Sequence, residues 1–184
     1  MLSNKLIHPI GNDILHVIFG HLSSSTDLFR CALVTRQWKP LANARLYRHV
    51  RLNRRENFLK FYACLLLRSP NEDDRSQRCS LVRTLRVELI DPSGGFQVVN
   101  RNMEAYRKLG DILRHLSCLK RLLMEVYVGT KLHEYSWIQN LVTSFPKSLH
   151  VFMIRVSFMF CVCITIHLTF PHSACGWERN ILGR

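Results

Sequence analysis

Four segments of the chain share one pattern: Tyr47-x-x-Val50-x-Leu52, Val82-x-x-Leu85-x-Val87-x-Leu89, Leu119-x-x-Leu122-x-Met124-x-Val126 and Leu149-x-x-Phe152-x-Ile154-x-Val156, with starts 35, 37 and 30 residues apart. Alternation over the last positions of each sends successive side chains to opposite faces, which predicts a strand. Recurrence at thirty-odd residues is the period of stacked repeat units. Between these segments lie Phe58, Phe61, Tyr62, Leu65 and Leu66, then Tyr106, Leu109, Ile112, Leu113 and Leu116, then Trp137, Ile138, Leu141, Val142 and Phe145, all at helical spacing. Strand, helix, strand is the order that pairs strands in parallel through crossovers. Each such unit has an apolar face it cannot cover alone, so neighbours must stack.

The outward strand positions include Arg51, Arg86, Glu88, Lys120 and Arg121, which are candidates for a target-binding surface or ordinary solvated charge. The stretches 69–76 and 91–95 carry turn and breaker residues and read as loops between units.

The first fifty residues follow a different period. Asn12 is expected to cap a helix in which Ile14, Leu15, Ile18, Phe19 and Leu22 form one apolar face, with Asp13 in its positive first turn. The run from Ser23 to Asp27 breaks that helix, and a second is expected to start near Thr26 or Asp27, with Leu28, Cys31, Ala32 and Val34 as its apolar positions. A third places Trp38, Leu41, Ala42 and Leu46 on one side. Three short helices in under forty residues have too little interior to hide all these groups, so some apolar surface should stay exposed for a partner. Packing of Ile18, Phe19 and Trp38 on the remainder of the chain is the competing reading.

The stretches IGNDILHVIFGHL and CALVTRQWKPLA, with Asp27-Leu28 between them, resemble an F-box in order and spacing over about forty residues. That resemblance implies a helical module that docks on a Skp-type adaptor and through it joins a cullin ubiquitin ligase. Ile10, Ile14, Leu15, Ile18, Phe19, Leu22, Leu28, Val34 and Trp38 then become the candidates for the adaptor contact or the small core beneath it. Gly11 stands where the family has proline and Asp13 where it has glutamate. Asp keeps the charge, whereas Gly lacks the pre-set dihedral of proline and should loosen the edge of the contact.

The strand and helix units resemble an irregular leucine-rich-repeat array of the kind that follows an F-box in many fungal proteins. The asparagine ladder is missing, the first repeat is short and the periods vary, which leaves a compact α/β domain open. The expected architecture is thus α followed by α/β: an F-box-like helical module over 1–46, leucine-rich-repeat-like units over 47–157, and a tail over 158–184.

That tail departs from the repeat. Residues 158–170, FMFCVCITIHLTF, carry no Asp, Glu, Lys or Arg. A continuing array would need a helix and a polar capping unit after the strand at Leu149, yet the β-branched, cysteine-rich tail resembles neither, so the array is expected to stop early, as in a truncated product or an imperfect gene model. A membrane span needs about twenty apolar residues, and extending back to Val151 reaches that length only by including Arg155. Cys161, Cys163, His167, His172 and Cys175 match no zinc spacing, and free thiols are the expected state.

A net charge of +13 favours an acidic partner, and between Arg30 and Lys60 nine basic residues face one acid, Glu56. Seven scattered cysteines fit a reducing compartment, and Asn4, Lys5 and His8 interrupt any leader-like apolar run, so cytosol or nucleus is expected. No phosphate loop, nucleophile elbow or metal-ligand helix is present, so neither catalysis nor a cofactor or metal is expected. The leading expectation is a substrate receptor whose partners are a Skp-type adaptor, through it cullin, and a protein target, with neither nucleic acid nor membrane. The alternatives are a basic helical nucleic-acid-binding protein and a receptor tethered by its tail.

Overall fold

The computed structural model describes residues 11–67, 71–89, 96–128, 136–158 and 163–170. The chain divides into two compact units, 1–48 and 49–184.

The first unit holds three helices: α1 (Asn12–His21), α2 (Ser25–Val34) and α3 (Trp38–Arg48). Gly11, not Asn12, is the N-cap of α1, and it offers no side chain to the free amides. Asn12 instead accepts a hydrogen bond from Gln37 Nε2 at 3.2 Å, which explains why the expected cap is absent. α2 starts one or two residues earlier than expected and is capped by Ser24, whose hydroxyl accepts from the Asp27 amide at 3.3 Å. Thr35 Oγ1 accepts from the Trp38 amide at 3.1 Å and starts α3. Both are hydroxyl caps that meet an otherwise unpaired first-turn donor.

The second unit is a mixed α/β structure around a five-stranded sheet in the order β1-β2-β3-β4-β5: β1 (His49–Leu52), β2 (Thr84–Glu88), β3 (Arg121–Val128), β4 (Val151–Phe158) and β5 (Cys163–Thr169). β1 to β4 are parallel, and β5 returns antiparallel on β4. Between β1 and β2 run α4 (Arg55–Tyr62), a π-helical turn (Ala63–Leu67) and α5 (Glu72–Leu81); α6 (Phe96–His115) and α7 (Ser136–Thr143) form the next two crossovers. α4 packs on α6 and α6 on α7.

The strand register follows the sequence repeat. Val50, Leu85, Leu122 and Phe152 form one continuous row, and Leu52, Val87, Met124 and Ile154 the next. Apart from Val50, which is half-buried, these rows are buried together with Phe58, Leu65, Leu109, Ile112, Leu113, Leu116 and Leu141 from the crossover helices. The first position of the pattern, Val82, Leu119 or Leu149, is also buried, and each time its amide donates to the carbonyl three residues back. Just beyond it, Lys120 and Arg121 donate to the Arg83 carbonyl, and His150 and Val151 to the Lys120 carbonyl. One local bonding scheme thus launches successive strands at the same height. Strands added in sequence order leave no point where the strand order reverses, the usual place for a small-molecule crevice in an open α/β sheet.

One expectation is corrected here. The segment 69–76 is not all loop: α5 begins at Glu72, with Glu72, Asp73 and Asp74 in its positive first turn. Turn-forming residues served as a helix start. Arg75 and Arg78 of α5 then donate to the carbonyls of Leu66 and Cys64, satisfying oxygens at the end of the wider π-helical turn. Past the strand at Leu149, where the sequence departs from the strand and helix repeat, the next element among the described residues is β5. Its β-branched, uncharged sequence suits pairing along β4 better than a helix. The segment 91–95 lies outside the described residues.

Candidate functional site

In the first unit the apolar residues separate into two sets. Leu15, Phe19, Leu28 and Ala42 are buried together, with Leu22, Cys31, Ala32, Trp38, Leu41 and Leu46 packed against them. The Phe19 and Trp38 rings meet edge to face, their centroids 5.7 Å apart at 79°, a favoured aromatic geometry. Arg45 of α3 closes the bundle, donating from Nε to the Phe19 carbonyl at 3.2 Å and from Nη2 to the Gly20 carbonyl at 2.7 Å. A cation on the last carbonyls of α1 complements the negative end of that helix.

The second set faces solvent. Ile14 is 59% exposed, Val17 62% and Ile18 45% on α1, with Phe29 at 56%, Leu33 at 71% and Val34 at 59% on α2. Soluble domains rarely leave several large apolar side chains of one short helix pair uncovered without a use for them. Completing the burial of each would contribute roughly 1 kcal/mol or more at the usual area coefficient. Six such groups could offset a substantial part of the several kcal/mol lost on association.

The candidate contacts read from the sequence therefore divide. Ile14, Ile18 and Val34 are free to touch a partner. Leu15, Phe19 and Leu28 are interior and act by holding the helices in place, while Leu22 and Trp38 are partly buried against that core. Ile10 lies outside the described residues. The single apolar face expected for α1 is in fact two: Leu15 and Phe19 point inward, Ile14, Val17 and Ile18 outward. Val17, Phe29 and Leu33 were missed because the inward positions already satisfied a helical period. The available signal was that α1 carries more large apolar side chains than one stripe can hold.

On the sheet, Arg51, Arg86, Glu88 and Arg121 occupy the face opposite the buried rows. Glu88 is not a surface group: its side chain is 5% exposed, beneath Arg51 and Arg86. Lys120 is exposed but lies in the connection before β3, out of line with Arg121, since adjacent residues cannot share one face of a strand.

Several basic residues between Arg30 and Lys60 already have protein partners. Arg30 lies 3.7 Å from Asp27, Arg51 pairs with Glu88, and Arg55 of α4 pairs with Glu104 of α6 at 3.2 Å. Glu104 also accepts from Lys108 Nζ at 2.7 Å, and that hydrogen bond first, then the charges of Lys108 and Arg55, holds its carboxyl below the usual range. Burial pushes the Cys79 thiol up, which disfavours the reactive thiolate. Cys31, Cys64, Cys79 and Cys118 form no disulfide. Among the described residues no three His, Cys, Asp or Glu side chains cluster as metal ligands, and no helix is long and apolar enough to cross a membrane. Of the sequence's metal-donor atoms, Cys161, His172 and Cys175 lie outside the described residues.

Comparison with protein families gives one match that bears on this geometry: residues 12–53 fit the F-box-like family. The matched span begins at α1 and runs through α3 into the residue after β1. No curated protein matches the chain.

Proposed function

We propose, starting from the F-box-like domain that this chain carries at residues 12–53, that it is the substrate-receptor subunit of a Skp/cullin/F-box ubiquitin ligase. F-box domains typically bind Skp-type adaptors, and the domain match suggests that role here. The observation that carries the reading is the uncovered apolar set on α1 and α2, held in place by the Leu15, Phe19, Leu28 and Ala42 core. The second unit then holds a protein target. Its parallel strands, recurring at thirty-odd residues with one face left open, support the likeness to leucine-rich repeats. The chain itself needs no catalytic group, because bringing a target near a conjugating enzyme raises effective concentration and fixes orientation. Free thiols fit a reducing cytosol or nucleus.

The basic stretch alone could also attract nucleic acid. Engagement of Arg45 and Arg55 by protein groups leaves less of this stretch's charge free for phosphate and favours the adaptor reading.

Capture of a purified Skp-type adaptor at low and high salt separates the two readings. Apolar docking survives added salt, whereas phosphate binding falls steeply with it. Capture should persist at high salt and disappear in the Ile18→Asp variant. An adaptor that never binds, or that binds the variant equally well, would defeat the proposal.

A further inference from the structure

We propose that the open face of the parallel sheet holds an extended acidic segment of the target protein, one in which carboxylates alternate with apolar side chains. This rests on the reading that the second unit carries the target.

Register places the residues of this face in rows: His49, Thr84, Arg121 and Val151; then Arg51, Arg86, Leu123 and Met153; then Glu88, Glu125 and Arg155. Arg51 and Arg86 are direct cross-strand neighbours, and like charges so placed repel. Glu88 offsets that repulsion. Its Oε2 accepts from Arg51 Nε at 3.0 Å and Nη2 at 2.8 Å, and its Oε1 meets Arg86 Nε. The carboxylate is covered, while the Arg51 and Arg86 side chains are 63% and 44% exposed. One anion beneath two cations leaves positive charge on the outside.

Arg155 sits 3.8 Å from Glu125, a loose pair with the arginine outermost. Arg121 is exposed and has no ion pair among the described residues. Four arginines and two covered or half-covered glutamates therefore give this face a net positive charge and present N–H donors to a partner, with carboxylate acceptors recessed. Leu123 and Met153, half-buried between the arginines, supply an apolar floor.

Guanidinium forks suit carboxylates, which they bind bidentately. Rows of a sheet lie about 6.5–7 Å apart along the strand, which is also the spacing of same-side residues in an extended peptide. Recessed carboxylates and an apolar floor fit spaced acidic groups better than the unbroken charge of a phosphate backbone.

The test uses the full chain and three labelled probes: an extended peptide alternating Glu with Val, its Gln-for-Glu counterpart, and single-stranded DNA of similar length. By fluorescence anisotropy the acidic peptide should bind at least ten-fold tighter than the Gln peptide. Arg121→Glu with Arg155→Glu should weaken it ten-fold or more, and Lys60→Glu, on α4, should leave it unchanged. Should the double variant unfold, Arg121→Gln alone should still cost about three-fold. Equal binding of the two peptides, indifference to the arginine changes, or DNA binding tighter than the acidic peptide would overturn the proposal. Adaptor capture is read on the same samples. Its loss with peptide binding intact removes the ligase reading and not this one, and the converse removes this one alone.

Discussion

The two units spend their apolar side chains differently. In the sheet unit the rows of β1 to β4 that meet the crossover helices are nearly all inside, Ile164, Ile166 and Leu168 of the last strand stay exposed, and the open face carries arginines and half-buried residues. In the helical unit, among the described residues, four are buried in its core while six large apolar side chains stand in solvent. Crossover helices packed on β1 to β4 cover most of one sheet face. A bundle of three short helices cannot cover itself in that way, and what it leaves uncovered is available to another molecule.

Core truncations in the two units test that contrast with the largest effects. Phe19→Ala removes the ring that meets Trp38 and should destabilise the helical unit by about 3–5 kcal/mol, read as loss of its unfolding transition in denaturant. On β3, Leu122→Ala should cost about 2–5 kcal/mol, whereas Leu123→Ala, one residue along and facing the open side, should cost well under half of that. Equal penalties would mean that the alternation does not set which face is buried.

A smaller effect concerns the start of α1. Gly11 has φ −57° and open space where a Cβ would stand, close to the dihedral that proline imposes. Gly11→Pro should therefore stabilise the unit by about 0.4–1 kcal/mol by restricting the unfolded chain, measured as a higher midpoint with an unchanged slope. The smallest effect belongs to the sheet unit. Glu104 joins Arg55 of α4 to Lys108 of α6, and its carboxyl titrates below the usual range. A carboxylate depressed on folding stabilises above its unfolded pKa, and that contribution is lost as pH falls through its folded value. Glu104→Gln should thus melt slightly lower than the parent at neutral pH, and the gap should close on acidification.

Where the sequence could be read, the reason is periodic. Val50, Leu85, Leu122 and Phe152 recur at the same place in each pattern and pair in the sheet, because a period of two assigns each residue to a face without ambiguity. The same logic failed on α1. A 3.6-residue period finds an apolar stripe in Leu15, Phe19 and Leu22 even though Ile14, Val17 and Ile18 form a second one. Sequence alone does not say which stripe is inward; the partners on α2 and α3 decide it. α5 was hidden because Asn71-Glu72-Asp73-Asp74 suits a turn and a helix N-terminus alike. Glu88 read as an outward charge because nothing local reveals that Arg51, on the neighbouring strand, folds over it.

Calorimetric titration of a purified Skp-type adaptor into the parent chain and into Ile14→Ser with Leu33→Ser addresses the central claim most directly. The account predicts matching melting midpoints for the two proteins, a negative heat-capacity change for the parent as apolar surface is buried, and affinity weakened at least ten-fold in the variant. Equal affinities at equal stability would contradict it.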